Sequence, residues 1–373
     1  MPQPESESRK AFHELLDLLK QLDETYLSEE WLVGSAEDIG EGIRALLHVL
    51  QGGLVTYVDE DADHPRFHKI VDPTRKYTGD NPYAIYYDSA IHAGRCYRIR
   101  GNVAGAVYTS LTIETGAEEG RVGAAIAGVL NDDQFDIADD GSFEIFLGGE
   151  PRERGWLALP DNAARVTTRH YFEEDRMTAA DPSVNVPLTI EALGVNEPPA
   201  PADDASIARA VRRVSNFLYT RTLAMNPPAE RVQPDFVSRV PNVFGPPVPP
   251  GNHALAAADA SYTMAPYVLG PDEALVITGR WPQCRCANVC LWNRHLQTYD
   301  YVNRPVALNR AQTRLEEDGS FRMVIAHRDP GVPNWIDTEG RAFGLVFWRF
   351  MLPEGEIETP QAEVVPFASI ARG

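Results

Sequence analysis

Two stretches of the chain, LNDDQFDIADDGSF at 130–143 and LNRAQTRLEEDGSF at 308–321, align without a gap at an offset of 178. Leucine, asparagine, glutamine, aspartate, glycine, serine and phenylalanine coincide in the same order. At the same offset Gly101 falls on Gly279, and after one inserted residue Trp156 falls on Trp335. An ordered match of this extent predicts two copies of one structural module, at roughly 84–195 and 252–367.

The residues that surround this repeat indicate β-structure. From about residue 84 the chain consists of short runs rich in Val, Ile, Tyr and Thr, interrupted by Gly, Asp and Pro, which is typical of sandwiches and barrels. Asp140-Gly141 and Asp318-Gly319 are turn dipeptides. Residues that both copies share are interpreted as structural, and the two tryptophans are expected to anchor the cores.

Helical patterns occupy the rest of the chain. Apolar residues recur at helical spacing in two N-terminal segments, and the second is expected to begin at Ser35 with Asp38 as its capping-box partner and to end at Gly52-Gly53. The apolar stripes are Phe12, Leu15, Leu16, Leu19 and Leu22, then Ile39, Ile43, Leu46, Leu47 and Leu50. A third helix is predicted from near Asp204 to Met225, and PNVFGPPVPPG at 241–251 reads as a stiff linker.

The predicted organisation therefore has four parts. They are a helical N-terminal cap and loop at 1–83, a first β-sandwich module at 84–195, a helix with a proline-rich connection at 196–251, and a second β-sandwich module at 252–373.

Composition excludes several classes of partner. The 373 residues carry a net charge of −20, which disfavours nucleic acid and anionic membrane surfaces because both attract cationic faces. No run of about 18 apolar residues occurs, and MPQPESESRK has no apolar signal core. Four cysteines in a chain of this length do not form a disulfide framework. We expect a reduced, cytoplasmic protein.

Three of the four cysteines lie in CRCANVCLWNRHLQTYDY, residues 284–301. At the repeat offset this segment falls on the strand-like AVYTSLTIET of 106–115, so 284–293 is predicted to be a strand with Val289 and Leu291 on one face. Cys284, Cys286 and Cys290 then share the other face, where consecutive side chains are about 6.6 Å apart, which is too far for one zinc ion. We expect inert packing, without a metal or cofactor.

The polar residues after this strand are candidates for a ligand site, because the first copy has the dissimilar TGAEEGRVGAA at the corresponding positions. A loop so rich in aromatic and hydrogen-bonding groups lines a cleft, or it is a solvated loop whose arginines and aspartates pair with each other. Arg304 could bind a carboxylate or a phenolate. The candidates are Asn293, Arg294, His295, Tyr299, Asp300, Tyr301 and Arg304.

Four further residues are candidates with a structural alternative. Tyr86, Tyr87 and His92 would form a mixed apolar and polar ligand wall, or they lie at a domain interface. His327 would act as a general base if a carboxylate lay nearby, or it belongs to a turn around the following Asp-Pro-Gly. No local triad or phosphate loop accompanies them, so no catalytic residue is assigned.

Several of these segments also resemble a known family. GDNPYAIYYDSAI, YRIRGN, DDGSFEI, LWNRHLQTYDY and HRDPGVPNWIDTEGRAFGLVFWR are similar to the bacterial domain-of-unknown-function 1214 family, most specifically over 284–360. The resemblance implies sandwiches of jelly-roll type, often paired. The predicted fold is therefore mainly β, with two tandem jelly-roll-like modules. The activity of the family is not established, so the resemblance transfers no catalytic residue.

The expected function is that of a cytoplasmic small-molecule-binding protein. The ligand would be partly apolar and would occupy a cleft between the modules or the mouth of a sandwich, with a catabolic enzyme and a pure binding module as close alternatives. A structural or assembly protein would instead show a large flat apolar patch. Self-association is left open.

Overall fold

The computed structural model describes residues 6–116, 119–121, 123, 125–251 and 256–370. The first residues of the predicted parts 1–83 and 252–373 lie outside these ranges. Helix α1 spans Glu7–Gln21 and continues into a π-helical turn, Leu22–Tyr26. Helix α2 spans Ala36–Tyr57, and helix α3 spans Asp204–Thr220. Within these ranges no helix is both long and apolar enough to cross a membrane.

The strands fall into two groups of corresponding elements. The first group is β1 (His68–Lys69), β2 (Ala84–Ala90), β3 (Tyr97–Asn102), β4 (Tyr108–Thr115), β5 (Ala125–Asn131), β6 (Ser142–Leu147), β7 (Trp156–Leu157), β8 (Ala163–Tyr171) and β9 (Leu188–Ala192). The second is β10 (Ala260–Val268), β11 (Glu273–Gly279), β12 (Cys286–Trp292), β13 (Ala307–Asn309), β14 (Phe321–Ala326), β15 (Trp335–Asp337), β16 (Phe343–Met351) and β17 (Gln361–Pro366).

The two modules have the same sheet topology. The first pairs a sheet of order β1-β2-β8-β4-β5 with one of order β7-β6-β3-β9, and the second pairs β10-β16-β12-β13 with β15-β14-β11-β17. Strand for strand these orders correspond, with β1 as an addition, so the predicted repeat and the two-sandwich fold are confirmed. Each module contains one parallel pair, β6 with β7 and β14 with β15, whereas jelly rolls are antiparallel. The jelly-roll subtype stays a prediction.

Matching details extend the correspondence to single residues. Gly101 pairs with Phe143 on β6, and Gly279 pairs with Phe321 on β14. The turn glycines Gly141 and Gly319 both have φ of 82°.

The repeated tryptophans are only partly buried. Trp335 packs against the buried residues Val324 and Ala326, so its predicted role as a core anchor holds in part. The indole N–H of Trp156 donates to the carbonyl of Gly148 at 2.9 Å, and that of Trp335 donates to Ala326 at 3.2 Å. In both modules the tryptophan therefore links a short strand, β7 or β15, by a hydrogen bond to the end of the neighbouring strand, β6 or β14.

Helix α2 begins as predicted and ends later. Ser35 is its N-cap, and the capping box with Asp38 is complete. The helix continues through Gly52-Gly53 because aromatic rings pack directly against its backbone there. A Cβ atom on Gly52 would lie 2.5 Å from the Tyr77 ring. Tertiary packing thus overrides the low helix propensity of glycine.

The buried helical faces match the predicted stripes in part, since Leu15 and Leu22 are buried as predicted. Helices α1 and α2 both pack against α3. In α1 the buried residues include Ala11 and Leu15, whereas Phe12 is 52% exposed. In α2 the buried residues include Ala45 and Val49, whereas the stripe residues Ile39, Ile43 and Leu47 are exposed. Small side chains at the contact allow close approach, which turns the larger apolar residues outward.

The proline-rich connection packs against the second module instead of forming a detached linker. Val248 and Tyr262 exchange two backbone hydrogen bonds of 2.9 Å, and Met264 exchanges bonds of 2.8 Å with residues Phe236 and Ser238. Phe244 is buried in the second-module core. The segment therefore covers the edge of β10, which would otherwise expose unpaired backbone groups.

The glycine–phenylalanine pairs give a test of the repeat. Gly101→Ala and Gly279→Ala should each lower the free energy of unfolding by about 1–3 kcal/mol, because the added Cβ would lie 2.4 Å or 2.9 Å from a phenylalanine ring atom. Gly245→Ala is the control, since a Cβ there meets nothing within 4 Å. Urea unfolding measures all three variants. Equal stability of Gly279→Ala and Gly245→Ala would contradict the structural role of the pair.

Candidate functional site

The two modules pack through corresponding faces of corresponding sheets. The outer faces of β2, β4 and β8 meet those of β10, β12 and β16, so these strands are covered on both sides. The shared cluster contains Tyr83, Ala84, Tyr108 and Tyr171 from the first module and Tyr262, Met264, Cys286, Cys290, Trp292, Phe347 and Met351 from the second. The interface is thus rich in aromatic rings and sulfur.

The two faces of β12 are divided as the sequence predicts, but the strand begins at Cys286, and Cys284 packs against the core inside the second module instead of sharing the face of the other two cysteines. Val289 and Leu291 belong to the core inside the second module, whereas Cys286 and Cys290 belong to the interface cluster. Burial raises the pKa of Cys290 to about 12, so this thiol is protonated at neutral pH. In the part of the chain that the structure describes, no group of three or more His, Cys, Asp or Glu could hold a metal ion.

Alternation along β8 places a row of polar side chains on its outer face. Arg165, Thr167, Arg169 and Tyr171 are all buried there. Arg165 forms an ion pair of 2.7 Å with Asp88 and a second with Glu60. Arg169 donates to the hydroxyl of Thr112 at 2.6 Å. Each arginine of this row therefore has a defined acceptor.

The second module repeats part of this arrangement. Arg169 pairs across the sheet with Tyr86, and Arg349 pairs at the equivalent position with Tyr262. Arg349 is 5% exposed, and its Nε and Nη1 atoms have no hydrogen-bond partner among the described residues. Its guanidinium carbon lies 5.6 Å from the Tyr262 ring centre and 5.9 Å from that of Tyr171. The equivalent arginines thus differ in how far their donors are satisfied.

A cavity of about 90 Å³ lies at this interface, beneath the helical cap. Tyrosines and arginines dominate its walls, and α3 contributes Phe217 at its end and Arg221 just beyond it. The Arg221 guanidinium carbon lies 3.6 Å from the Phe217 ring centre, and its Nε and Nη1 have no partner in the described ranges. The lining includes Tyr57, Tyr77, Tyr86, Tyr171, Arg165 and Arg169.

A larger cleft of about 820 Å³ adjoins the cavity. Its walls are the outer face of the second-module sheet, the segment 225–241 and the N-terminal residues around Trp31. The rings of Trp292 and Phe347 stack at 4.2 Å along one wall. Tyr262 and Arg349 line both the cavity and the cleft, so the two spaces meet at this cross-strand pair.

His295 lies at another part of the cleft. Its Nδ1 is 2.9 Å from the hydroxyl of Tyr26, and its buried Nε2 has no partner among the described residues. Burial lowers the pKa of His295 to about 4 and raises that of Tyr26 to about 12. The histidine is therefore neutral at physiological pH, and one of its two ring nitrogens carries a proton.

Three of the eleven candidate residues line these spaces. Tyr86 lines the cavity, and Arg294 and His295 line the cleft. Arg294 is held by Asp38 through an ion pair of 2.8 Å.

The other candidates in the loop after β12 have structural contacts away from the cleft. Asn293 accepts the backbone N–H groups of the turn at 3.0 and 3.1 Å, and Asp300 accepts that of Val302 at 3.1 Å. Tyr299 is buried in the core, with its hydroxyl 2.7 Å from that of Tyr267. The expectation that these residues line the main cavity is therefore wrong.

Tyr301 and Arg304 line a separate open pocket of about 480 Å³ on the surface. Arg304 forms an ion pair of 2.7 Å with the buried Asp337. This ion pair matches the alternative that the arginines of the loop pair with aspartates, rather than the proposed contact of Arg304 with an anionic ligand.

The remaining three candidates also lie elsewhere. The hydroxyl of Tyr87 accepts the N–H of Val186 at 3.0 Å. His92 is exposed on the turn after β2, where its Nδ1 accepts the N–H of Gly94 at 3.1 Å. His327 has both ring nitrogens engaged, one 2.6 Å from the Thr338 hydroxyl and the other 3.1 Å from the Gly270 carbonyl.

Sequence reasoning missed Arg349, Tyr262 and Arg221. Arg349 stands in the final run FGLVFWRFM, where period two places it on the face of Phe347 and away from the core. Aligning β8 with β16 would have shown that an arginine recurs on the outer face of both copies. The assumption that shared residues are structural concealed this signal.

Comparisons with known proteins agree on the fold. The chain is similar to a putative uncharacterized protein from Burkholderia cenocepacia, with 25% sequence identity, a TM-score of 0.81, and coverage of 96% of this chain and 98% of that one. It is also similar to the VPA0106 protein from Vibrio parahaemolyticus, with 11% identity, a TM-score of 0.50, and coverage of 86% and 100%. No family model and no curated protein matches the chain. The family resemblance therefore stays a prediction.

The ion pair of Arg304 predicts a stability defect. Arg304→Met should lower the thermal unfolding midpoint, because the carboxylate of Asp337 stays buried without its guanidinium partner. The double variant Arg304→Met/Asp337→Asn should recover part of the loss. Differential scanning calorimetry measures both. An unchanged midpoint in Arg304→Met would show that the ion pair does not contribute to folding.

The buried imidazole of His295 predicts a pH dependence of stability. Its pKa is lowered from 6.5 to about 4 in the folded protein, so between these values the unfolded chain binds a proton that the folded chain does not. Stability should therefore fall as the pH drops from about 6.5 to about 4, with a slope of up to ~1.4 kcal/mol per pH unit from this group. His295→Gln should reduce the slope, as measured by urea unfolding at several pH values.

The control for this experiment is His13→Gln, which changes an exposed residue of α1. A slope as steep in His295→Gln as in the wild type would contradict the proposed origin of the pH dependence.

Proposed function

We propose that the protein binds a small, partly apolar organic molecule in the cleft formed by the second-module sheet, the segment 225–241 and the N-terminal cap. The cleft volume of about 820 Å³ carries this proposal, since it lies within the range typical of small-molecule sites.

The chemistry of the walls supports an apolar ligand body. Trp292 and Phe347 present their stacked rings, and Met264 and Leu345 extend the same wall from neighbouring strands. Phe236 contributes from the connection and packs edge-on against Tyr262 at 5.3 Å. Such surface is favourable to cover, at about 25 cal/mol per Å² of apolar area removed from water.

A small number of polar groups punctuates this apolar surface. They include Arg231, Arg239, Arg294, His295 and Arg349, and a few such groups in an apolar cleft can fix the orientation of an apolar ligand. A docking surface of an assembly protein would instead be flat and continuous.

We infer binding rather than catalysis from the contacts of His295. An imidazole that acts as a general base is normally oriented by a carboxylate or carbonyl group. Here Nδ1 is bonded to the phenol of Tyr26, which burial keeps protonated. This contact lacks the negative charge that would raise the basicity of the ring, and burial lowers the pKa of His295 to about 4, so the imidazole is a weak base.

Blocking the cleft tests the proposal. Leu345 is half-buried on the wall of the cleft, on the same face of β16 as Phe347 and Arg349. The wild-type protein should bind the neutral dye Nile red saturably, with a fluorescence increase. Leu345→Trp should weaken this binding, because the larger ring projects into the cleft beside Phe347. Leu193→Trp, at an exposed leucine outside the cleft, is the matched control and should bind like the wild type.

Circular dichroism and the unfolding midpoint establish that both variants are folded. Equal dye binding by Leu345→Trp and Leu193→Trp would place the ligand elsewhere, and the absence of saturable binding by the wild type would refute the proposal.

A further inference from the structure

Arg349 has an unusual environment for a buried arginine. Arg165 contacts two carboxylates, and Arg169 donates to Thr112 and to the carbonyl of Ala256. Arg349 is 5% exposed, and in the described ranges no carboxylate lies within 4 Å of it. An arginine stays protonated in proteins, so its charge cannot be removed by deprotonation.

Aromatic rings alone do not satisfy this guanidinium. The rings of Phe347, Tyr262 and Tyr171 lie 4.8, 5.6 and 5.9 Å from its central carbon, and they contribute cation–π attraction. Its buried Nε and Nη1 donors nevertheless have no acceptor among the described residues. A buried charged donor without an acceptor is costly to maintain, and an anionic ligand would supply the missing acceptor.

Neighbouring hydroxyl groups would complete an anion site. The hydroxyl of Tyr262 accepts the N–H of Ala257 at 3.0 Å, so its own proton is available to a second acceptor. The hydroxyls of Tyr86 and Tyr171 are 3.4 Å apart, and burial raises the pKa of both, so they stay neutral donors. These neutral hydroxyls add hydrogen-bond donors beside Arg349. Other parts of the same cavity are lined by Arg165, Arg169 and Arg221 and by the carboxylates of Asp80, Asp88 and Glu114.

The position of Arg349 links this anion site to the apolar cleft. Arg349 and Tyr262 line both spaces, and Gly79 lies at the same junction. A ligand that crosses the junction would place a small charged group in the 90 Å³ cavity and an apolar body against Trp292 and Phe347 in the cleft.

We propose that the ligand is an amphipathic carboxylic acid, whose carboxylate accepts hydrogen bonds from Arg349 and Tyr262 while its apolar body occupies the cleft. This assignment rests on the proposed function and names the class of molecule that the site selects. Guanidinium and carboxylate form strong, charge-assisted hydrogen bonds, frequently in pairs. Arg349 is the arginine at the junction with the cleft, so we expect it to provide most of the selection for the acid over a neutral analogue. Arg221, whose Nε and Nη1 also have no partner in the described ranges, lies elsewhere on the cavity wall.

The test compares four ligands with the same hydrocarbon body and different head groups, namely decanoate, decanol, decylamine and decyl phosphate. Isothermal titration calorimetry on the full chain should find decanoate the tightest of the four. Arg349→Met should weaken decanoate by about 10- to 100-fold and leave decanol unchanged, as expected for loss of hydrogen bonds to a charged group. Arg349→Lys keeps the charge and should bind with intermediate affinity.

Two controls separate binding from folding. Arg328→Met removes an exposed arginine that pairs with Asp272 outside the cleft, and it should bind decanoate like the wild type. Without ligand, Arg349→Met should unfold at a midpoint no lower than the wild type, because methionine removes an unsatisfied buried charge. A lower midpoint together with unchanged decanoate affinity would show that Arg349 is structural and would overturn the proposal.

The remaining outcomes distinguish this inference from the proposed function. Tighter binding of decyl phosphate than of decanoate would overturn the carboxylate assignment. If decanol bound as tightly as decanoate, with both weakened in Leu345→Trp, the cleft would be a ligand site without anion selection. If none of the four ligands bound while Nile red did, the cleft would remain the proposed ligand site and the carboxylic acid would be ruled out as its ligand. If neither bound, both proposals would fail.

Discussion

The packing of two equivalent sheets face to face is the constraint on which the rest of this molecule depends. In a single sandwich one face of each sheet is buried and the other meets water, which produces alternation of apolar and polar residues. Here β4, β8 and β12 are buried along their whole length. Their outward side chains are therefore interior groups, and every polar atom among them needs a partner.

The two modules meet this demand differently. The first has polar outward residues on β4 and β8, whose arginines, threonines and acids bond to one another across the strands. The second has mostly aromatic and sulfur-containing residues there, and the few polar groups they carry, such as the indole N–H of Trp292, bond to backbone groups. Arg349 is the exception, a charged residue in the apolar copy at the position of Arg169 in the polar copy. The proposed anion site thus lies where the polar face of the first module meets the largely apolar face of the second.

Local sequence signals predicted the scaffold well. The offset of 178 gave the repeat because turns such as Asp140-Gly141 require particular residues, and Ser35 with Asp38 marked a helix start through its own side-chain bonds. The end of α2 could not be read from Gly52-Gly53, since the rings that hold those glycines in a helix come from distant residues. The same limit applied to the buried faces of α1 and α2, which depend on the position of α3.

The candidate site was predictable only in part for a related reason. Tyr86, Arg294 and His295 were recognised by residue type within polar segments, and they line the cavity or the cleft. Arg349 stands between Trp348 and Phe350 in the sequence. Its importance depends on which acceptors surround it, which is a property of the assembled interface. Arg349 also has an equivalent, Arg169, in the first module. A residue type that occurs in both copies was interpreted as structural, so the comparison of the copies did not mark Arg349 as a candidate.

The buried thiols make the interface between the modules accessible to kinetic measurement. Cys286 and Cys290 lie inside the contact, and burial raises the pKa of Cys290 to about 12, so an alkylating reagent in solution meets neither a thiolate nor an exposed sulfur. Their modification requires the sheets to separate first. Their rate of alkylation, compared with the rates for the half-buried Cys96 and Cys284, therefore reports how often the interface opens in the native protein.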